Sequence, residues 1–269
     1  MSWWRKETKV QGSDILVIVP SYGQFNFVRR TILSLGDSMD AQSRAPDFII
    51  IDDASVDWDT IDWSCFPTQT LQAVHFEERA GLTRSWNYGL IVAQKKGYKY
   101  AICANSDLIF SHGSIERMIS AIDSGISLVG PLTNAPGYHR WQDVRPFLAG
   151  GSLRAIDDSP ESITFISREL AACSIGPIHC TLNGFCLAAR TETWWFGAYD
   201  HAAVFNPAFP LERNEVELQE RWYRLGLTNA MVPQSYVFHY RSVSRPAGLT
   251  GRVANGAFRP NSLYADKLR

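Results

Sequence analysis

The run Ile15-Leu16-Val17-Ile18-Val19-Pro20-Ser21-Tyr22 decides how the rest of the chain is read. Its first five residues are all apolar and four are β-branched, a stretch too short for a buried helix and too continuous for a strand with one wet face. It fits a strand covered on both sides, as in a parallel sheet between helix layers. Pro20 ends the apolar run, and polar residues follow. The same unit recurs downstream. Phe48 to Ile51 precede Asp52-Asp53-Ala54-Ser55, Leu71 to Phe76 form a shorter run, Tyr100 to Ala104 precede Asn105-Ser106-Asp107, and Ser127 to Leu132 form another. Between them the spacing turns helical: Phe25, Val28, Ile32 and Leu35 stopping at Gly36; Trp86, Leu90 and Ala93 closing on Lys95-Lys96-Gly97; Ile115, Met118, Ile119 and Ile122 closing on Gly125. Strand and helix alternating in this way predict an α/β fold with a mostly parallel central sheet flanked by helices.

From Asn134 to Thr181 the periodicity dissolves among prolines and glycines, giving an irregular region inside a single domain. Order returns at Leu182 to Arg190 (LNGFCLAAR). A helix is expected in NEVELQERWYRLG, with Leu218, Trp222 and Leu225 buried and Glu217–Arg221 and Glu220–Arg224 as pairs on its outer side. The domain is placed at 1–245, and 246–269 reads as a C-terminal arm or lid.

With 45% hydrophobic and 20% charged residues, the 269-residue chain reads as globular. Its formal net charge of -1 excludes a global basic field that would draw it to nucleic acid or anionic lipid. Five widely spaced cysteines without a CxxC pair argue against a disulfide scaffold and a structural zinc site, and suit reduced thiols in a cytoplasmic protein. The N-terminus has no signal-peptide pattern, and no apolar run approaches the ~18 residues of a membrane span, so any membrane contact is expected to be peripheral. A homo-oligomer is compatible with the sequence.

Ligands of open α/β sheets bind beyond the carboxyl ends of the strands. Three polar clusters fall there: Pro20-Ser21-Tyr22, Asp52-Asp53-Ala54-Ser55 and Asn105-Ser106-Asp107. Each alone is an ordinary turn or helix cap. Converging on one rim, their carboxylates would repel unless a cation intervened, and oxygen donors favour Mg or Mn over zinc.

The ordered set VIVPSYGQ, IIIDDAS, RAGLTRSWNYGL, ICANSD, LNGFCLAAR, NEVELQERWYRLGL and VFHYRSVS resembles the inverting family 2 glycosyltransferases of GT-A fold, closest in style to their rhamnosyltransferase-like branch. The resemblance spans roughly Ile15 to Ser244. It implies a nucleotide-binding half at about 13–133 and an acceptor-binding half at about 134–245. It also implies a UDP- or dTDP-sugar donor, a divalent metal and a hydroxyl acceptor on a glycan, a lipid-linked sugar or similar. Residue by residue, it implies that Pro20, Ser21, Tyr22 and Asp52 hold the base, and that Arg79 or Arg84 meets the base or the diphosphate, a surface ion pair being the plainer alternative for each arginine. Asn105-Ser106-Asp107 takes the place of the DxD motif. Asp107 is then the metal ligand, Asn105 a hydrogen-bond partner of ribose or sugar, and His239 a second contact to metal or diphosphate. The Glu-Asp pair of the family becomes Asn214-Glu215, which makes Glu215 the base, with Glu212 and Glu217 as competitors. The plainer alternative there is a helix cap followed by a first-turn acid. Asn183 and Gly184 would shape the acceptor side. Trp86, Trp194, Trp195 and Trp222 read as core aromatics before sugar-stacking ones.

Other classes compete. A nucleotidyltransferase would show a Gly-rich loop where this chain has PSYGQFNF, and a glycoside hydrolase needs no nucleotide pocket. A non-catalytic sugar-nucleotide binder fits the Asn105 and Asn214 departures, and a transferase acting on modified DNA bases is opposed by the near-neutral charge.

Overall fold

The computed structural model describes residues 12–39, 43–67, 71–151 and 155–241. The proposed arm at 246–269 and the end of the VFHYRSVS motif lie outside the described residues. Nine strands form one sheet: β1 (Ile15–Ser21), β2 (Asp47–Asp52), β3 (Leu71–His75), β4 (Tyr100–Ala104), β5 (Leu108–Phe110), β6 (Leu128–Leu132), β7 (Ile178–His179), β8 (Cys186–Arg190) and β9 (Asn229–His239). Six α-helices accompany them among the described residues: α1 (Phe25–Ser34), α2 (Leu82–Lys96), α3 (Ser114–Asp123), α4 (Pro160–Ala171), α5 (Thr191–Phe196) and α6 (Asn214–Arg224).

The strand order is β3-β2-β1-β4-β8-β6-β9-β5, with β7 also beside β9. β3, β2, β1 and β4 are parallel, and β6 and β9 run the same way. β8 is antiparallel to both of its neighbours, β4 and β6, and β5 and β7 are antiparallel to β9. The sheet is therefore mixed, although most of its strands share one direction. The reversal of β8 matters for function. Its amino end, carrying Leu182 to Phe185, arrives at the same rim as the carboxyl ends of β1, β2 and β4.

Two apolar layers sandwich the sheet because side chains alternate faces along each strand. Leu16 and Ile18 of β1, with Ile49 and Ile51 of β2, pack against Trp86 and Leu90 of α2, Trp194 of α5 and Trp222 of α6. Ile15, Val17 and Val19, with Phe48 and Ile50, face Val28 and Ile32 of α1 and Ile115, Met118 and Ile122 of α3. Each such aliphatic side chain taken wholly out of water stabilises the fold by about 1.5–3 kcal/mol. Trp86, Trp194 and Trp222 are completely buried, so they are core residues as their spacing suggested.

Three expectations change, and the first is Leu225, expected buried with Leu218 and Trp222 but 49% exposed at the end of α6. The irregular region 134–181 contains α4, whose start is written in Ser159-Pro160-Glu161: the Ser159 hydroxyl accepts the Ser162 N–H at 3.2 Å, and Pro160 stands in the first turn. Ile163, Ile166 and Leu170 then face the core. The Glu217–Arg221 pair forms at 3.0 Å, but not on an outer face. Its side chains are only 10% and 17% exposed, and Arg221 also donates to the carbonyls of Gly197 and Val204, pinning α6 to the loop after α5. All five cysteines are free, with Cys103 and Cys186 buried. Among the described residues no helix is long and apolar enough to cross a membrane.

Candidate active site

At the ends of β1, β2 and β3 the two adjacent aspartates divide the work. Asp52 is wholly buried. Its carboxylate accepts from Ser21 Oγ at 3.2 Å, from the Ser55 amide at 2.8 Å and from the Ser55 hydroxyl, and meets His75 Nδ1 at 2.8 Å. These contacts join the three strand ends and fix the loop that follows β2. Asp53 faces the other way. It accepts the amides of Ala80 at 2.9 Å and Gly81 at 2.7 Å, and the Arg84 guanidinium at 2.7 Å, with Arg79 Nε at 3.9 Å. The Arg79 guanidinium lies 3.7 Å over the Tyr22 ring, and that of Arg84 lies 3.9 Å over Phe76. Tyr22, Asp53, Arg79 and Arg84 thus form one wall, with both arginines partly open to solvent. Among these, sequence reasoning passed over Asp53. The doubled Asp52-Asp53 was visible, but only the sheet geometry says which side chain turns inward.

A second cluster forms where β4 leaves the sheet. Asn105-Ser106-Asp107 turns the chain into β5, which pairs antiparallel with the end of β9, with Leu108 opposite His239. The pairing brings Asp107 Oδ1 within 3.3 Å of His239 Nε2, both residues buried. The Tyr240 amide donates to the Asp107 carbonyl at 3.0 Å. The His239 backbone is held by the Asn134 side chain, which accepts its N–H at 2.8 Å and donates to its carbonyl at 3.2 Å. The imidazole stacks on Phe185 with ring centroids 5.3 Å apart, and its buried Nδ1 has no hydrogen-bond partner. A carboxylate oxygen and the imidazole Nε2 facing each other at 3.3 Å are of the types that hold a divalent cation. Among the described residues no third His, Cys, Asp or Glu joins them.

Glu215 occupies the first turn of α6. Arg213, at a φ of 65°, turns the chain into the helix. Asn214 is almost wholly buried: its amide nitrogen donates to Thr83 Oγ1 at 2.8 Å, and its oxygen accepts the Glu215 N–H at 2.7 Å. Asn214 thereby ties the start of α6 to the start of α2. The Glu215 carboxyl lies against Gly184, where a Cβ would come within 3.1 Å of its Cδ and Cγ. Burial pushes the Glu215 carboxyl above the usual carboxylate range. The negative charge of Glu212 adds to the rise, while its own N–H, the Gly184 N–H and Arg213 oppose it.

Asn183, expected at the acceptor side, has its amide occupied: it donates to the His139 carbonyl at 2.6 Å and to Gln142 Oε1 at 3.1 Å, and accepts the His139 N–H at 3.0 Å. Its contacts hold the 134–147 loop against the rim. Gly184 gives up its side-chain space to Glu215. The separate clusters are joined by contact. Glu215 touches Gly184; the neighbouring Phe185 stacks on His239 and accepts the Asn105 amide at 2.8 Å; His239 meets Asp107. From the other side, Asp53 holds Gly81, whose φ of 93° brings it against the Pro210 carbonyl, and Thr83 accepts from Asn214 beside Glu215. The result is one rim carrying an arginine–aromatic wall, a carboxylate–imidazole pair and a buried acid.

The profile of glycosyl transferase family 2 matches residues 16–180, more than half of the chain. The chain belongs to glycosyl transferase family 2. The family match stops before β8, so Glu215 and His239 lie outside it. Among solved structures, GalNAc-T7 with UDP, GalNAc and Mn2+ superposes with a TM-score of 0.58 at 16% identity, over 84% of this chain and 43% of that one. TarS residues 1–349 from S. aureus superposes with a TM-score of 0.54 at 14% identity, over 84% of this chain and 60% of that one. These likenesses show the α/β GT-A fold. The chain spans about half the length of these structures. No curated protein matches it in sequence.

Proposed function

We propose that this family 2 member is an inverting glycosyltransferase, in the manner of the rhamnosyltransferase-like branch, moving a sugar from a UDP- or dTDP-sugar to an acceptor hydroxyl. The observation that carries the reading is the unbroken run of contacts Glu215–Gly184–Phe185–His239–Asp107, which sets a buried acid beside a cation-suited pair. Tyr22, Arg79 and Arg84 receive the base and diphosphate. Asp53 positions the two arginines, and Asp52 braces the loop. Pro20 and Ser21 form the floor at the end of β1. Asp107 and His239 hold the divalent ion, and the imidazole donor favours Mn over Mg. When bound, that ion neutralises charge on the departing diphosphate without proton transfer. Asn105 reaches the ribose or sugar.

Glu215 accepts the proton of the acceptor hydroxyl as that oxygen attacks the anomeric carbon from the face opposite the diphosphate. The C–O bond to the nucleotide breaks, the nucleoside diphosphate leaves, and configuration inverts in one displacement. A raised pKa suits Glu215 to this task, because a stronger base takes the hydroxyl proton more readily. GalNAc-T7 was crystallised with UDP and Mn2+. That supports the nucleotide and metal classes for this chain.

The test is a panel of UDP- and dTDP-sugars with Mn or Mg, scored by thermal shift and by release of the nucleoside diphosphate. Manganese-dependent stabilisation together with release is expected, and Glu215→Gln should keep the first and lose the second. A wild-type protein that neither binds nor turns over any nucleotide sugar would overturn the proposal.

A further inference from the structure

The loop between β6 and the first turns after it displays exposed aromatic rings. Tyr138 is 94% exposed and Trp141 65% exposed, and Arg140 between them is exposed as well. Alternate residues of the same stretch are clamped from below. The His139 backbone exchanges two hydrogen bonds with the Asn183 side chain, at 3.0 and 2.6 Å. Gln142 is fully buried, donating to the Pro131 carbonyl at 2.9 Å and accepting the Asn183 amide at 2.7 Å. Thr133 closes the base of the loop, donating its N–H to the Gln142 carbonyl at 2.8 Å and accepting the Val144 N–H at 3.0 Å, and the Arg145 guanidinium donates to the Asn134 carbonyl at 3.0 Å. This loop is held rigidly while its aromatic faces are left bare.

Its position is set as tightly. Gly137, next to Tyr138, packs so closely on Asn183 that a Cβ there would lie 2.6 Å from its Oδ1. Asn183 adjoins Gly184, which touches Glu215. The two rings therefore sit on a loop anchored to Asn183, the residue that precedes the Gly184 contact with Glu215.

We infer that Tyr138 and Trp141 form the acceptor platform, stacking on the C–H face of a pyranose ring while Arg140 donates to its hydroxyls, so that the acceptor is a carbohydrate. The inference rests on the glycosyl-transfer reading above and names its acceptor class. Aromatic rings fit because they give large contact area with few rotors to freeze. Because the loop is already ordered, little conformational entropy is lost on binding. Neither ring touches the Asp53 wall or the Asp107–His239 pair, so nucleotide binding does not depend on them.

The experiment uses the full chain, fluorescently labelled, on an array of defined oligosaccharides in the presence of UDP and Mn2+. The wild type and the Tyr138→Ala/Trp141→Ala double variant are compared, with UDP-induced thermal shift measured on both. Expected is retention of one or more saccharides by the wild type and loss of about tenfold or more in apparent affinity by the double variant, with an unchanged UDP shift. Tyr138→Phe/Trp141→Phe should recover most of the loss, which a folding defect would not. The inference is overturned if the double variant retains the same saccharides as strongly, or if a wild type that binds UDP retains none. A wild type shifted by neither UDP nor dTDP condemns the glycosyl-transfer reading itself, a separate outcome.

Discussion

Replacing Gly184 by Ala tests the geometry of the base directly. The new methyl would sit 3.1 Å from the Cδ and Cγ of Glu215 and 3.2 Å from its Cβ, inside ordinary van der Waals contact, so the glutamate must withdraw by a few tenths of an ångström. The φ of Gly184 is not in the left-handed region, so the backbone adds no strain of its own. Crowding of this size costs about 1 kcal/mol of stability, the low end for an added methyl in a packed site. Its effect on chemistry is larger in proportion. A displacement of about 1 Å at a reacting group costs about 100-fold, so a few tenths should slow turnover about three- to tenfold. Release of nucleoside diphosphate from the donor selected by the panel, followed at saturating donor, gives the rate. Calorimetry with UDP and Mn2+ gives the binding constant, which should not move. A Gly184→Ala enzyme with the wild-type rate would refute the placement of Glu215 as the base.

Asp107→Ala should weaken Mn-dependent UDP binding by about tenfold or more, and His239→Ala should do likewise, with each read from UDP titrations at fixed Mn2+; UDP affinity equal to wild type in both variants would dissolve the cation site. Because the Glu215 carboxyl is raised and the base must be ionised, the acid limb of the kcat–pH profile should lie above the ~4.3 of an ordinary glutamate. The same shift has a stability sign. A folded-state pKa above the unfolded value means that the favourable contribution of the protonated form is full below the unfolded pKa and is lost as pH rises through the folded one. Glu215→Gln should therefore be more stable than wild type at neutral pH, with the gap closing near pH 4 in urea melts. Gly197→Ala puts a Cβ 2.2 Å from Trp222 Nε1, which is buried and donates to the Gly197 carbonyl at 2.8 Å. It should lower stability by about 3 kcal/mol and Tm by about 6–12 °C in calorimetry, and an unchanged Tm would show that α5 and α6 are not locked there.

The parallel half of the sheet was legible because burial on both faces leaves continuous apolar runs, and Ile15 to Val19, Phe48 to Ile51 and Tyr100 to Ala104 are β1, β2 and β4. Helix α2 announced itself by its stripe and by Gly97, whose left-handed φ of 75° closes it. α4 was missed although Ser159-Pro160 signalled it, since the surrounding glycines and prolines hid a stripe of only three buried apolar residues. Local sequence also marked the candidate site: two aspartates after β2, an amide–serine–aspartate turn after β4, an acid in the first turn of α6. Each of those signals is local, set by side-chain period and turn propensity within about ten residues.

What only the tertiary structure decided is how these pieces meet. The reversal of β8 carries Gly184 and Phe185 to the rim, and the pairing of β5 with β9 sets His239 opposite Asp107 across more than a hundred residues of chain. Which of Asp52 and Asp53 is sealed and which faces the arginines depends on the direction each side chain takes at a strand end. The same holds for the Glu217–Arg221 pair, which the sequence placed outside and the loop after α5 encloses. Sequence period fixes the face a residue presents; only the pairing of distant strands and the packing of helix ends determine what that face meets.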